Sequence, residues 1–191
     1  MIAYKGFTER LTATCGKGVY QYEAGQTYET DYSRTASTGF HCAEYPLDCF
    51  IWYPPGMGNR YFIVEAGGSI DETDCDSKIA CTKMTLLKEI NEREMAYRAM
   101  LYMYEHPNRP WQTAWSGKQG FAKGKNNVFI ARSRIPRVKG GAGNIIGLIE
   151  EPEPGIITAM RILVPGTKNI KADTFYTLTE GRLIESEEKT A

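Results

Sequence analysis

LLKEINEREMAYRAMLYMYEH, residues Leu86 to His106, is the longest helical pattern in the chain. Its apolar positions are spaced by seven, four and three residues, so they share one face at 3.6 residues per turn. These positions are Ile90, Tyr97, Leu101 and Tyr104. Because Pro107 disfavours helical geometry in the residue before it, we predict one long helix at about 86–106 that packs between the two halves of the chain.

Strand patterns dominate both sides of this helix. The run RYFIVEA, Arg60 to Ala66, is rich in β-branched and aromatic residues, and we expect Gly67-Gly68 to close that strand. The segment from Pro46 to Tyr53 predicts a short helix with proline in its first turn. Strands are also predicted at NVFIA, 127–131, and in a C-terminal β-meander over 144–150, 156–164, 174–178 and 182–184.

The predicted fold class is therefore α+β. We expect a β-rich N-terminal lobe at 1–85, a connecting helix at 86–106, and a basic, glycine-rich segment with the C-terminal β-meander at 107–191. At 191 residues, these parts are expected to form one compact unit.

The N-terminal residues lack the apolar core of a signal peptide, and no apolar run approaches the roughly 20 residues of a membrane span. The five cysteines are an odd number and include no CxxC pair, which predicts reduced thiols. Only His41, Cys42 and Cys49 form a cluster with metal-binding character, and we expect neither a metal nor a cofactor. The expected location is the cytosol of the host cell, without membrane association.

The formal net charge of zero conceals an uneven distribution. Residues 1–105 carry ten Lys and Arg against fifteen Asp and Glu, and residues 150–191 carry five against eight. Residues 106–149, in contrast, carry eight cations and no acid. We name these eight cations the basic belt: Arg109, Lys118, Lys123, Lys125, Arg132, Arg134, Arg137 and Lys139.

Aromatic residues accompany the basic belt, notably Trp111 and Trp115. Cations that neutralise phosphates release counterions, and aromatic faces stack on bases, so this mixture favours binding of nucleic acid or a nucleotide. The belt and the two tryptophans are therefore the candidate binding residues. The same charges would suit an acidic protein surface, or a solvated face that balances the acidic flanks within the molecule.

Several short motifs together carry a family resemblance. They are Tyr4-Lys5-Gly6-Phe7, Tyr22-Glu23-Ala24-Gly25-Gln26-Thr27-Tyr28, Gly39-Phe40-His41-Cys42, Tyr45-Pro46-Leu47-Asp48, Tyr53-Pro54-Pro55 and Val64-Glu65-Ala66-Gly67-Gly68. The chain resembles an uncharacterised domain family that is frequent in phages and prophages. Members often continue into a Gly/Ala-rich repeat and end in a segment like Lys171 to Leu178. In this chain the repeat is shortened to 115–143, so any solenoid that the repeat forms would be truncated. The resemblance implies phage or mobile-element origin and no defined activity.

A second arrangement loosely resembles ADP-ribosyltransferases, in which an aromatic side chain stacks on nicotinamide. The order of elements carrying Lys5-Gly6, Gly39-Phe40-His41-Cys42 and Tyr53 is similar, with Lys5 where an Arg or His is expected. This resemblance implies an alternative NAD site at Lys5, His41 and Tyr53, with Glu65 or Glu89 as candidate acid. The alternative is that these are core and turn residues of an unrelated β lobe.

The sequence favours a stoichiometric binding protein over an enzyme. We expect a phage-encoded anti-defence inhibitor, such as an anti-CRISPR, whose basic belt contacts a host defence nuclease or its nucleic acid. An ADP-ribosyltransferase-like NAD-binding enzyme is the first alternative, and a virion accessory protein is the second.

Overall fold

A computed structural model describes residues 1–14, 18–72, 76–167 and 169–186. The chain divides into two compact units, Met1–Asn91 and Glu92–Ala191. Strands predominate in both, and a single long helix begins the second unit, which confirms the β-rich α+β class. Within the described ranges, no helix is long and apolar enough to cross a membrane.

The first unit is built from strands around an aromatic core. In chain order they are β1 (Ile2–Phe7), β2 (Thr12–Thr14), β3 (Val19–Gln21), β4 (Thr27–Glu29), β5 (Phe40–Ala43), β6 (Arg60–Glu72) and β7 (Lys78–Ile90). Strand β1 pairs with β5 and β6, and β7 pairs with β6 and β5, so these four strands close a ring. Inside it lie buried side chains such as Phe7, Tyr22, Phe62 and Met84.

The long hairpin of β6 and β7 corrects two expectations. Strand β6 continues through Gly67-Gly68 to Glu72, because the glycine pair forms a β-bulge with a shift of register instead of ending the strand. Strand β7 continues to Ile90, so the start of the expected helix at Leu86 is wrong. Leu86 is fully buried in the core opposite Val64, and this tertiary pairing overrides the helical pattern of the segment.

The predicted short helix at 46–53 is confirmed as a 3-10 helix, Pro46–Ile51, with proline in its first turn. It lies against β1. Tyr53, just after it, packs so closely on Gly6 that an ideal Cβ there would stand 2.6 Å from Tyr53 Cδ2. Gly6 is therefore required for this close approach.

The second unit combines one helix with two sheets. In chain order its elements are α1 (Glu92–Glu105), β8 (Ser116–Gly117), β9 (Gln119–Ala122), β10 (Val128–Ser133), β11 (Arg137–Gly140), β12 (Ile145–Glu150), β13 (Ala159–Leu163), β14 (Phe175–Thr179) and β15 (Arg182–Ser186). One sheet has the order β13-β12-β10-β8 and the other β15-β14-β11-β9.

Strands β8 to β12 alternate between the two sheets and form a short parallel coil. Strand β10 is parallel to both β8 and β12, and β11 is parallel to β9. The turns of the coil differ in length: Ser116 pairs with Ile130, Gln119 with Arg137 and Val128 with Ile145, so they take 14, 18 and 17 residues. This arrangement agrees with the truncated solenoid that the family resemblance implied.

The C-terminal strands differ from the expected meander. They form two antiparallel hairpins, β12–β13 and β14–β15, which belong to different sheets. The buried carboxylate of Glu150 accepts hydrogen bonds from the backbone N–H groups of Glu180 and Gly181, at 2.6 and 2.8 Å. A side chain of one hairpin therefore holds the turn of the other.

Helix α1 packs on β10 and β12 through a face that the sequence did not indicate. Tyr97 and Tyr104, which were expected in its apolar stripe, are 45% and 55% exposed. The buried residues are instead Met95, Ala96, Ala99, Met100 and Met103. The two alanines and Gly147 of β12 allow close approach, since a Cβ at Gly147 would stand 2.9 Å from Met100 Sδ.

A buried ion pair fixes the end of β10. Arg132, 1% exposed, donates from Nε and Nη2 to the two carboxylate oxygens of Glu151, at 3.0 and 2.5 Å. Its Nη2 also donates to the carbonyl of Pro107, just after α1. The guanidinium thus links the helix end to the sheet.

We predict that Glu151→Gln will lower the free energy of unfolding by about 3–5 kcal/mol, because it leaves the charge of Arg132 buried without its counter-charge. Urea denaturation followed by circular dichroism measures this. The matched control is Glu94→Gln, which removes a half-exposed pair with Arg98 on α1 and should cost only about 0.3–0.5 kcal/mol. Equal destabilisation of the two variants would contradict a structural role for the buried pair.

Candidate functional site

The outer face of the β15-β14-β11-β9 sheet collects cations and aromatic rings. Ala122 of β9 and Val138 of β11 face the core between the sheets. Because side chains alternate along a strand, Phe121 and Lys139 face outward, and these two residues are direct partners in the parallel register. One side of this sheet therefore presents the charged and aromatic members of both strands.

Cation–π contacts organise this surface. The Arg137 guanidinium lies 3.7 Å from the ring centroid of Phe175 on β14, and Lys139 Nζ lies 4.7 Å from the same centroid. Lys123 Nζ lies 4.8 Å from the centroid of Phe121, whose side chain is 46% exposed. Each ring is thus placed against at least one cation, an arrangement that is attractive in itself.

Arg137 and Lys139 are partly buried, and Arg137 Nε also donates to Ser186 Oγ at 3.3 Å. Exposed cations of the belt lie at the turns that border this face. Ser133 Oγ donates to the carbonyl of Lys118 at 3.1 Å, which brings Arg134, the next residue, to the same corner of the coil as Lys118. Lys125 is exposed in the turn after β9. We name the following set the cationic face: Lys118, Lys123, Lys125, Arg134, Arg137 and Lys139 with Phe121 and Phe175.

Two belt cations and one tryptophan lie on the opposite, α1 side of the unit, so the basic belt is not one surface. Arg132 is buried in its pair with Glu151, and its guanidinium lies 5.1 Å from the Trp111 ring. Arg109 donates to the hydroxyl of Tyr102 on α1. The alternation of β10 turns Arg132 away from the core between the sheets, toward the helix.

Trp115 precedes β8, and its carbonyl accepts a hydrogen bond from Ile130 N at 2.9 Å. Its place is therefore at the start of the coil and not on the cationic face. Phe175, which the sequence reasoning did not select, is the ring that contacts Arg137 and Lys139 on this face. The alternation in β14, with Tyr176 and Leu178 in the core, is the signal that could have identified it.

The three residues of the alternative NAD site come together in the first unit. Lys5, His41 and Tyr53 line one half-open pocket of about 270 Å³. Other lining residues come from the 3-10 helix and the residues just after it, and from the start of β7; they include Asp48, Cys49, Trp52, Asp76 and Lys78. The pocket therefore lies where the 3-10 helix covers the ring of strands.

Burial and one cation determine the electrostatics here. The Lys5 ammonium is almost fully buried and donates to the carbonyl of His41 at 2.6 Å. Burial, reinforced by the charge of Lys5, lowers the pKa of His41 below its ordinary value, so the imidazole is neutral at pH 7. Its Nε2 is buried and has no hydrogen-bond partner among the described residues.

The cysteines at the pocket are poor nucleophiles. Burial raises the pKa of Cys49 to about 12, and a hydrogen bond with Cys81, together with burial, raises the pKa of Cys42. Both thiols stay protonated at neutral pH, whereas the thiolate is the reactive form. Across the described part of the chain, no three His, Cys, Asp or Glu side chains are grouped so that they could hold a metal ion.

Neither glutamate considered for the NAD-dependent chemistry lines the pocket. Glu89 instead accepts two hydrogen bonds from Arg60, both at 2.7 Å, and this hydrogen bonding is the main reason why its pKa is lowered. The walls of the pocket are polar and aromatic, and neither glutamate is among them.

No curated protein and no solved structure shows similarity to the chain. A family model described as "Domain of unknown function (DUF7666)" matches residues 1–98, which include the first unit and every residue of its pocket. The chain therefore belongs to the DUF7666 family.

Proposed function

We propose that this protein is a stoichiometric binding protein whose cationic face contacts single-stranded nucleic acid. The observation that carries the proposal is the cluster of Arg137, Lys139 and Lys123 around the rings of Phe175 and Phe121 on one side of a sheet. Cations of this kind neutralise phosphates, and aromatic rings such as the exposed Phe121 and the partly buried Phe175 stack on unpaired bases.

The spacing of the two rings supports a single strand as the ligand. Phe121 stands on β9 and Phe175 on β14, with β11 between them. Neighbouring strands are about 4.8 Å apart, so the rings lie on the order of 10 Å from each other across the sheet. Stacking needs bases that are free of a partner strand, which single-stranded nucleic acid supplies.

The family resemblance supports a biological setting for this binding. Members of the resembled family are frequent in phages and prophages, where a small binding protein serves well as an anti-defence inhibitor. We infer that the cationic face competes for the guide or target strand of a host defence nuclease, as an anti-CRISPR protein would. The protonated, unreactive thiols at the first-unit pocket are consistent with a binder.

The double variant Arg137→Ala/Lys139→Ala tests the proposed face. It should weaken binding of a fluorescently labelled oligothymidine of about 20 nucleotides by at least tenfold. It should also reduce the slope of log K against log salt by about 1.4, because each phosphate that the protein no longer neutralises contributes about 0.7 to that slope. Fluorescence anisotropy from about 50 to 300 mM salt measures both quantities. Arg93→Ala, an exposed cation on α1, is the matched control and should change neither. A flat salt response of the wild-type protein would refute the proposal.

Removal of one ring tests the stacking component separately. Phe121→Ala should weaken oligothymidine binding by about fivefold to tenfold while leaving the salt slope unchanged, because a ring stacks without displacing counterions. Tyr104→Ala is the control, since that side chain is similarly exposed but belongs to α1. If both variants bind as the wild type does, stacking on Phe121 makes no contribution.

The anti-defence setting is tested by capture from bacteria that carry a defence nuclease. Wild-type protein fixed to beads should retain the nuclease or its RNA, and Arg137→Ala/Lys139→Ala should retain at least about tenfold less. Mass spectrometry and RNA sequencing of the eluates measure this. Equal recovery by both proteins would contradict a role for the cationic face in the capture.

A further inference from the structure

The pocket of the first unit is independent of the cationic face and lies wholly within the DUF7666 match. It is formed where the 3-10 helix crosses the outer side of β1 and β5. Strands β1 and β5 share one paired position, Tyr4 with Ala43, and the Lys5 ammonium bonds the carbonyl of His41. The side chain of Lys5 thus bridges the two strands close to the pocket.

Aromatic side chains favour a flat ligand. Trp52, at the end of the 3-10 helix, is 65% exposed, although large rings in a folded chain are usually covered. Lys78 Nζ lies 5.3 Å from its ring centroid, which leaves a cation beside an exposed stacking surface. Tyr53 forms a second aromatic wall, held in place by its close packing on Gly6.

The buried nitrogen of His41 favours a ligand with an N–H donor. His41 lines the pocket, and burial together with the charge of Lys5 lowers the pKa of its imidazole, which is therefore neutral at pH 7. Its Nε2 is buried and has no hydrogen-bond partner among the described residues, so it can accept an N–H from a ligand that reaches it. A buried polar atom without a partner costs free energy, so a donor that reaches Nε2 is stabilised by more than an ordinary exposed hydrogen bond.

Carboxylates at the pocket favour hydroxyl groups. Asp48 Oδ2 accepts hydrogen bonds from the backbone N–H and the hydroxyl of Ser77, at 3.0 and 2.7 Å, and Asp76 Oδ1 accepts one from Lys78 N. A carboxylate has about four acceptor sites, so each retains capacity for the hydroxyls of a sugar. Lys78 Nζ lies near the Trp52 ring and 3.8 Å from Asp76 Oδ2, so a bound phosphate would share this ammonium with the Asp76 carboxylate.

We propose that this pocket binds a nucleoside monophosphate. The heteroaromatic ring stacks against Trp52 and donates an N–H to His41 Nε2, the ribose hydroxyls meet Asp48 and Asp76, and the phosphate meets Lys78. A pocket of about 270 Å³ is slightly smaller than the roughly 300–1,000 Å³ of sites for drug-sized ligands, and this size suits a mononucleotide.

Isothermal titration calorimetry of the full chain tests this proposal. The ligands are AMP, GMP, CMP, UMP, nicotinamide mononucleotide and ribose 5-phosphate. At least one ligand with a ring should bind with a Kd of about 1 mM or less, and ribose 5-phosphate should bind at least tenfold more weakly. The ligand that binds tightest identifies the ring as a nucleobase or as nicotinamide. Equal binding of ribose 5-phosphate, or no binding at all, would overturn the proposal.

Variants separate the pocket from other surfaces. Trp52→Ala should raise the Kd of the tightest-binding ligand by about tenfold. His41→Leu should do the same, and His41→Gln, which keeps an acceptor, should recover part of the affinity. Tyr32→Ala is the control, because that side chain is 77% exposed and does not line the pocket. Circular dichroism verifies the fold of each variant, and unchanged affinity in Trp52→Ala would exclude the pocket.

The two proposals fail independently. Arg137→Ala/Lys139→Ala should leave mononucleotide binding unchanged, and Trp52→Ala should leave oligothymidine binding unchanged. A mononucleotide signal that disappears with Arg137→Ala/Lys139→Ala would place the ligand on the cationic face and overturn the assignment to the pocket.

Discussion

The parallel pairing of β10 with β12 is the constraint on which the second unit depends. Six consecutive residue pairs, from Val128–Ile145 to Ser133–Glu150, set the spacing of one turn. The neighbouring pairing of β9 with β11 follows and places Lys139 beside Phe121 and Arg137 beside Gln119. Residues that are far apart in the chain thereby become neighbours on one face, so basic residues that are dispersed along the sequence lie close together on one surface.

Strand alternation then decides the role of each cation. Arg132 and Arg137 are five residues apart in the chain, yet one is buried against α1 and the other stacks on an outward ring. The acidic flank of the chain supplies Glu151 to the first of them. Arg137 Nε instead donates to Ser186 Oγ at 3.3 Å, and composition alone does not give the partners of either cation.

Local patterns predicted the elements whose environment is simple. The strand RYFIVEA and the proline-led turn of helix follow from backbone preferences within a few residues. The predicted start of α1 and its predicted buried face were wrong because both depend on residues far along the chain. Leu86 packs in the core of the first unit and so belongs to β7. The close approach of α1 to Gly147 places alanine and methionine, and not tyrosine, on the buried face. The candidate residues of the pocket were found through motif order. The alternation in β14 indicates that Phe175 faces away from the core, but its position beside Arg137 and Lys139 depends on the sheet register.

The two units also differ in how freely their length can change. Strands β5, β1, β6 and β7 close on themselves, so an added strand would have to open the ring. In the coil, each turn bonds only to the turns beside it, and stability is then a sum of neighbouring interactions. Duplication of one turn, which takes 14 to 18 residues in this chain, is the change that would lengthen the coil. The protein thus joins a module of fixed size to one that evolution can extend by tandem repetition.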